Sequence, residues 1–131
     1  CNAAGEEVAL AQVGEPVMLA VRVCAREAVG ALTVGFMLRD RVGATVFGTN
    51  TFHLGVPVGP LAAGQECEVV FAFAANLGPG SYAVTVAVHA GAAHVEENFH
   101  WVDRVLVFEV ANVGRPPFVG VAWLPVRVEV R

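Results

Sequence analysis

Short runs in which apolar and polar residues alternate recur along this chain, and they constrain its fold more than any other feature. The segment PVMLAVRVCAR (residues 16–26) places an apolar residue at every second position and Arg22 and Arg26 between them, and LTVGFMLRDR (residues 32–41) alternates in the same way. Side chains of a β-strand point alternately to its two faces, so a period of two with β-branched and aromatic residues indicates strands. Helix patterns are nearly absent.

Turn residues divide the chain into eight candidate strands, at residues 7–11, 16–26, 32–41, 45–49, 67–74, 82–90, 104–111 and 118–130. Strands at this spacing, with no helices between them, predict an all-β fold, an antiparallel β-sandwich of jelly-roll or immunoglobulin-like topology. A length of 131 residues suits one domain with its own core, so residues 1–131 are predicted to form a single sandwich. The chain begins at Cys1 without a Met, which suggests a fragment of a longer protein.

The composition excludes some classes of function. Hydrophobic residues make up 56% of the chain, but no stretch approaches the roughly 18 unbroken apolar residues of a spanning helix. So apolar a domain suggests a surface that a partner covers. The formal net charge is −4 with no cluster of Lys or Arg, which argues against nucleic acid. Cys24 and Cys67 lie in apolar strands and are predicted to be buried free thiols, which suits a reducing compartment such as the cytoplasm.

The segment NLGPGSYAVTVAV (residues 76–88) has the pattern of a tyrosine corner. In that motif the hydroxyl of a Tyr at the start of a strand bonds to backbone a few residues upstream and fixes the crossover between sheets. Tyr82 is therefore predicted to have a structural role rather than to bind a ligand.

No catalytic or metal-binding motif is evident. His53, His89, His94 and His100 match no standard zinc spacing, and no cysteine lies near them. No pair of carboxylates is brought together by spacing, and the chain has no G-x-S-x-G elbow, P-loop or dinucleotide fingerprint. We therefore expect no catalytic residues, no metal and no cofactor in this domain, although a sandwich enzyme that acts on sugars stays open as the weakest alternative.

A carbohydrate-binding surface needs planar hydrogen-bonding groups for hydroxyls and an aromatic ring for the C–H face of a sugar. Arg22, Arg39, Thr85 and His89 all alternate against the apolar face of their own strands. The long polar connection HAGAAHVEENFHWVDR (residues 89–104) adds further groups of the same kind. The candidate carbohydrate-binding residues are Arg22, Arg39, Thr85, His89, Asn98, His100 and Trp101.

The block LRDRVGATVFGTNT (residues 38–51) concentrates polar residues in an apolar chain. Asp40 is predicted to accept hydrogen bonds from turn amides or to pair with a nearby Arg. The residues Thr49, Asn50 and Thr51 can satisfy backbone groups where the chain leaves the sheet. We interpret the block mainly as scaffold. Trp101 and Asp103 are equally well explained as ligand contacts or as anchors of the long connection.

The order of these segments resembles a known family. LRDRVGATVFGTNT is followed by LAAGQECEVVFAFAANLGPGSYAVTVAV, then by HAGAAHVEENFHWVDRVLVFEV and by FVGVAWL. Together they resemble the C-terminal carbohydrate-binding domain of the ATP-binding subunit of Wzt-type O-antigen polysaccharide ABC transporters, over about residues 12–125.

The resemblance implies a non-catalytic module, fused to an ATP-binding domain, that recognises the exported O-antigen polysaccharide, often at its modified non-reducing end. It also implies a homodimer at the cytoplasmic face of the bacterial inner membrane, in contact with the membrane only through the transporter. The alternative is a structural or dimerisation domain that contacts protein rather than glycan. FVGVAWLPVRVEVR (residues 118–131) is the candidate for a strand exchanged in such a dimer.

Overall fold

The computed structural model describes residues 10–90 and 99–131, and for residues 90 and 99–105 it describes the backbone alone. In this part the chain forms seven β-strands and no helix. The strands are β1 (Leu10–Gln12), β2 (Pro16–Cys24), β3 (Leu32–Arg39), β4 (Thr45–Asn50), β5 (Glu66–Ala74), β6 (Gly80–Ala90) and β7 (Phe99–Ala111).

The strands form two sheets. The larger has the order β1-β7-β6-β3-β4, and the smaller contains β2 and β5. All pairings are antiparallel except that of β1 with β7, which is parallel. The sheets pack face to face, because one buried cluster contains residues of β2 and β5 together with residues of β3, β6 and β7. The predicted all-β sandwich is confirmed.

The alternation in the sequence determines which face of each strand is buried. Val34, Phe36 and Leu38 of β3 are at most 6% exposed and point into the core with Val21 of β2. The ring of Phe36 lies 4.9 Å from that of Phe71 and 5.5 Å from that of Phe73 on the opposite sheet. These aromatic contacts join the two sheets at the centre of the sandwich.

The predicted tyrosine corner is present. The Tyr82 hydroxyl donates a buried hydrogen bond of 2.7 Å to the carbonyl oxygen of Gly78. Burial raises the pKa of the Tyr82 hydroxyl above its ordinary value of 10.0, and the negative charge of Asp40 adds to the rise. Tyr82 therefore stays a neutral donor, in the structural role that the sequence predicts.

The block at residues 38–51 contains the expected turn contacts. Asp40 Oδ1 accepts hydrogen bonds from the backbone N–H groups of Val42 (3.1 Å) and Ala44 (2.9 Å), which stabilises the turn between β3 and β4. Thr51 bonds twice to Val34: its Oγ1 accepts the Val34 N–H at 3.0 Å, and its own N–H donates to the Val34 carbonyl at 2.9 Å. These contacts are scaffold, as the sequence suggests.

Three expectations are wrong. Residues 118–130 do not form a strand; within them only Ala122 makes a bridge, to Leu77. The connection after β6 is shorter than predicted, because residues 99–103 already belong to β7. Cys24 is disulfide-bonded, whereas Cys67 is a half-buried free thiol, so cysteine usage does not support a reducing compartment. The described residues include no helix long and apolar enough to cross a membrane.

Candidate functional site

The outer face of the five-stranded sheet, on the side away from the core cluster, carries Arg39, Thr85 and His89 of the candidate binding residues. It is exposed at Arg39 but buried at Thr33, Ala87 and His89. In β3 this face carries Thr33, Gly35, Met37 and Arg39, since the residues between them point into the core. Residues paired directly across an antiparallel ladder lie on the same face. Met37 is paired with Thr85 of β6, and Thr33 is paired with His89. The outer face is therefore built from the polar positions of several strands.

A groove with a volume of about 360 Å³ lies on this face, across β3, β4 and β6. We call it the β3–β4 groove; it is lined by Thr33, Gly35, Phe36, Met37, Thr45, Gly48, Thr49, Asn50, His53, Ala87 and His89. Its volume falls in the range of small-molecule sites.

Small residues create the space in the β3–β4 groove. Gly35 is paired with Asn50 on one side and with Ala87 on the other, and Gly48 is paired with Met37. A Cβ on Gly35 would lie 2.9 Å from both Asn50 Cβ and the Thr49 carbonyl oxygen, so the close approach of β3 and β4 requires Gly here. A larger residue at either Gly would occupy the groove or push the strands apart.

Polar groups surround this small-residue floor. The Asn50 side-chain carbonyl accepts the backbone N–H of His53 at 2.7 Å, which holds the turn after β4 and orients the amide. The Thr45 hydroxyl lies 3.7 Å from the Met37 sulfur, a weak acceptor, and is therefore available to a stronger partner. Hydroxyl, amide and imidazole groups together can donate to and accept from a polyhydroxylated ligand.

Of the four predicted binding residues whose side chains the structure describes, three share the outer face of the five-stranded sheet: Arg39, Thr85 and His89. His89 lines the groove but is only 3% exposed, so it is not the surface residue that the sequence suggests. Arg39 lies at one end of the groove, where a guanidinium nitrogen is 3.5 Å from the Met37 sulfur. Thr85 is half-buried beside Met37.

Arg22 is not part of this surface. It lies on β2 between the buried residues Val21 and Val23 and points away from the core on the other sheet, where it is paired with Glu68. The two outer faces of a sandwich point in opposite directions. The expectation that Arg22 shares a surface with Arg39 is therefore wrong, because alternation reports a residue's face within a strand but not the sheet to which that strand belongs.

The predicted residues from the long connection are only partly placed. Asn98 lies outside the described residues. The backbone of Trp101 is paired with Ala87, which lines the β3–β4 groove, and the backbone of His100 is paired with Val88. Trp101 thus occupies a register position inside β7, next to the groove in the sheet, rather than in a loop.

Sequence reasoning missed most of the groove. The residues that it did not propose are Thr33, Gly35, Phe36, Met37, Thr45, Gly48, Thr49, Asn50, His53 and Ala87. Several belong to the block interpreted as scaffold, so that block provides scaffold and groove together. The available signal was the outer register of β3, where Thr33 and Gly35 precede Met37 and Arg39 on one face.

A second cleft, of about 520 Å³, lies at the end of the sandwich near the tyrosine corner. It is lined by Asp40, Arg41, Val42, Pro79, Gly80, Ser81, Tyr82, Glu109, Val110 and Val121. Two of its polar groups are already committed, since Asp40 Oδ1 accepts two turn amides and the Tyr82 hydroxyl donates to Gly78. The cleft is larger than the groove, and its remaining polar side chains, Arg41, Ser81 and Glu109, include charged groups, whereas the polar groups of the groove are hydroxyl, amide and imidazole.

Metal and catalytic chemistry have little support in this geometry. Within the part of the chain that the structure describes, no three His, Cys, Asp or Glu side chains come together as a candidate metal site. The described residues that line the groove include two imidazoles and no carboxylate.

Comparison with known proteins agrees with the resemblance seen in the sequence. A search of curated protein sequences returns no match. The solved structure of the C-terminal domain of Wzt superimposes with a TM-score of 0.76 at 17% identity, covering 92% of this chain and 72% of that one, which shows a shared fold. The family model of the Wzt C-terminal domain matches residues 1–124. Since that match spans nearly the whole chain, the protein belongs to the Wzt C-terminal domain family.

Proposed function

We propose that this domain is a non-catalytic carbohydrate-binding module of an O-antigen ABC transporter, and that it recognises the exported polysaccharide, including its modified non-reducing end. Family membership supports the transporter assignment, and the β3–β4 groove supports the binding role. Within the full-length protein the domain would follow an ATP-binding domain and lie at the cytoplasmic face of the inner membrane, a location that rests on the family alone.

The single observation that carries the binding role is the composition of the β3–β4 groove. Its floor of Gly35, Gly48 and Ala87 has no side chain larger than a methyl group, which leaves room for the C–H face of a sugar ring, and its rim supplies hydroxyl, amide and imidazole groups. It has no dense charge, which suits a ligand read through neutral hydrogen bonds. Because hydroxyls are well hydrated, each bond contributes only about 0.5–1.5 kcal/mol, so we expect micromolar or weaker binding at one site.

The candidate residues divide into two groups by position. Asn50 and His53 form the rim at the end of β4, and Arg39 with Thr45 lies at the opposite end beside Met37. A glycan chain that enters the groove at one end would contact both groups, which gives the site a direction. Asn98, His100 and Trp101 remain candidates for additional contacts from the neighbouring strand and the connection before it.

The test is a calorimetric titration of the chain with the polysaccharide of the producing cell, and with the same polysaccharide lacking its terminal modification. Gly48→Val should fill the groove, because its Cβ would be 3.5 Å from the Phe36 carbonyl oxygen and its other neighbours are atoms of the flexible Met37 side chain, which can move to admit the added methyl groups. We expect Gly48→Val to abolish binding. Arg22→Ala, on the other sheet, is the matched control and should bind as the parent does.

Two results would contradict the proposal: no polysaccharide of the producing cell binds the parent, or Gly48→Val binds as tightly as the parent while remaining folded by circular dichroism. His89→Ala is a poorer test than Gly48→Val, because His89 is 3% exposed and its removal would leave a buried cavity.

A structural or dimerisation domain that contacts protein is the second candidate function. The observation in its favour is exposed apolar surface: Phe52, Leu54 and Val56 in the turn after β4 are each more than half exposed. We further propose that the domain forms a homodimer, since a transporter with two ATP-binding subunits carries two copies. A dimer would also increase affinity for a polysaccharide that reaches both grooves.

A further inference from the structure

The turn that follows β4 lies next to the β3–β4 groove and is held by its own hydrogen bonds. We call residues 50–56 the β4 turn. The backbone N–H groups of residues 53–56 all donate within the turn, to Asn50 Oδ1 and to three carbonyl oxygens, at 2.7 to 3.1 Å. Thr51 ties the turn to β3 through its two hydrogen bonds with Val34. The side chains of the turn therefore project from a fixed backbone whose amides at residues 53–56 are already engaged.

Three apolar side chains of the β4 turn are exposed to solvent beside the groove. Phe52, Leu54 and Val56 are 52%, 56% and 56% exposed. His53 lies between the first two in the sequence, and it lines the groove. The Phe52 ring meets the His53 ring edge-on, with 6.0 Å between the ring centroids. An apolar surface thus continues from the polar rim of the groove.

Phe52 provides an aromatic ring that the groove itself does not offer. The phenylalanine among the described lining residues is Phe36, which is only 6% exposed. Its ring packs in the core against Phe71 and Phe73, so it cannot contact a ligand. Binding of the C–H face of a sugar needs an accessible ring. At this end of the groove the half-exposed ring of Phe52 meets that need.

The exposed apolar surface of the β4 turn matches a sugar unit better than a protein partner. A stable protein interface takes about 20–30 residues from each side, whereas the turn provides three apolar side chains. Its sequence, NTFHLGV, contains no Asp, Glu, Lys or Arg that could pair with a charged ligand. A neutral ligand with one apolar side, of the size of a single sugar unit, fits this surface.

The chemistry of the β4 turn distinguishes a methyl group from a hydroxymethyl group on such a unit. A methyl group that packs against Phe52 and Leu54 removes apolar surface from water, which favours binding. A hydroxymethyl group in the same place brings a hydroxyl to side chains without polar atoms, beside backbone N–H groups that are already engaged. A hydroxyl that loses water and gains no partner weakens binding.

We propose that the β4 turn is a specificity subsite that selects a 6-deoxyhexose, a sugar with a methyl group at C6 in place of a hydroxymethyl group. This sugar is the unit next to the one in the groove, and Phe52 and Leu54 contact its methyl-bearing side. The inference rests on the proposed function, because it needs a glycan in the β3–β4 groove. The groove supplies the hydrogen bonds to the chain, and the turn determines which neighbouring unit is accepted.

Matched saccharides test this selection. Oligosaccharides of 6-deoxyhexoses are titrated calorimetrically into the chain, each beside its hexose counterpart of the same linkage and configuration. We expect the parent to bind at least one 6-deoxyhexose compound about threefold to tenfold more tightly than its counterpart. Phe52→Ala and Leu54→Ser should bring this ratio close to one while the hexose compound still binds. Val42→Ala, 83% exposed in the turn at the other end of β4, is the matched control and should keep the parent's ratio.

The outcomes distinguish this inference from the proposed function. Suppose that the parent binds the polysaccharide of the producing cell and Gly48→Val does not. If the parent then prefers no 6-deoxyhexose compound, or if Phe52→Ala keeps the parent's ratio, selection by the turn is overturned and the groove assignment stands. If Phe52→Ala changes the sedimentation of the chain but not the ratio, the turn contacts protein and the subsite is overturned. If no saccharide binds the parent, the proposed function fails and this inference fails with it.

Discussion

The close approach of β3 and β4 at Gly35 gives a quantitative prediction about two glycines of the same groove. A Cβ on Gly35 would lie 2.9 Å from both Asn50 Cβ and the Thr49 carbonyl oxygen, which is closer than Cβ atoms approach in real structures. A Cβ on Gly48 would lie 3.5 Å from the Phe36 carbonyl oxygen and 3.7 Å from Met37 Cγ, which are ordinary van der Waals contacts. Neither Gly has a positive φ, so Ala meets no backbone strain at either position.

The expected effects therefore have opposite signs. Gly35→Ala must push β4 away from β3, and overpacking of this kind costs about 1–3 kcal/mol of unfolding free energy. Gly48→Ala fits without movement and should gain about 0.4–1 kcal/mol, because it lowers the entropy of the unfolded chain. Each variant adds one methyl group, the first on β3 and the second on the neighbouring strand β4. Their free energies of unfolding should therefore differ by about 1.4–4 kcal/mol.

Urea unfolding followed by circular dichroism measures this difference. Both variants should keep the slope of the parent, so that the change appears in the midpoint alone. The steric reasoning would be refuted if Gly35→Ala unfolded at the parent's midpoint, or if Gly48→Ala were the less stable of the two. A second readout is the β3–β4 groove: Gly35→Ala should weaken glycan binding even at temperatures where it stays folded, because its strands are displaced.

Other contacts give predictions of the same kind. Tyr82→Phe leaves the Gly78 carbonyl without its donor and should lower stability by about 1–3 kcal/mol in urea unfolding. Because the pKa of Tyr82 is raised in the folded state, the unfolded chain loses the hydroxyl proton at a lower pH than the folded chain does. The free energy of unfolding should therefore fall as the pH rises above about 10, and it should fall less in Tyr82→Phe. Thr51→Val removes the acceptor of the buried Val34 N–H, and should cost about 1–3 kcal/mol by thermal unfolding. Asp40→Ala removes an acceptor of two turn amides and should cost about 0.5–2 kcal/mol in the same assay.

Local patterns were sufficient to predict much of the fold. The core faces of β2 and β3 follow from alternation, because one buried face per strand leaves a period of two in the sequence. The tyrosine corner at Tyr82 and the turn contacts of Asp40 join residues no more than four positions apart. A short sequence motif is therefore enough to predict them. Features that depend on short separations can be read without knowing the topology.

The composition of the groove and the position of Arg22 depend on which strands are neighbours in each sheet. Which strands lie side by side decides that Gly48 faces Met37 and that Thr33 faces His89, and alternation is silent on that order. The predicted strand at residues 118–130 failed for a related reason. Its alternation is real, but a strand forms only where a neighbouring edge pairs with it, and in the described structure residues 118–130 make only the bridge of Ala122 to Leu77.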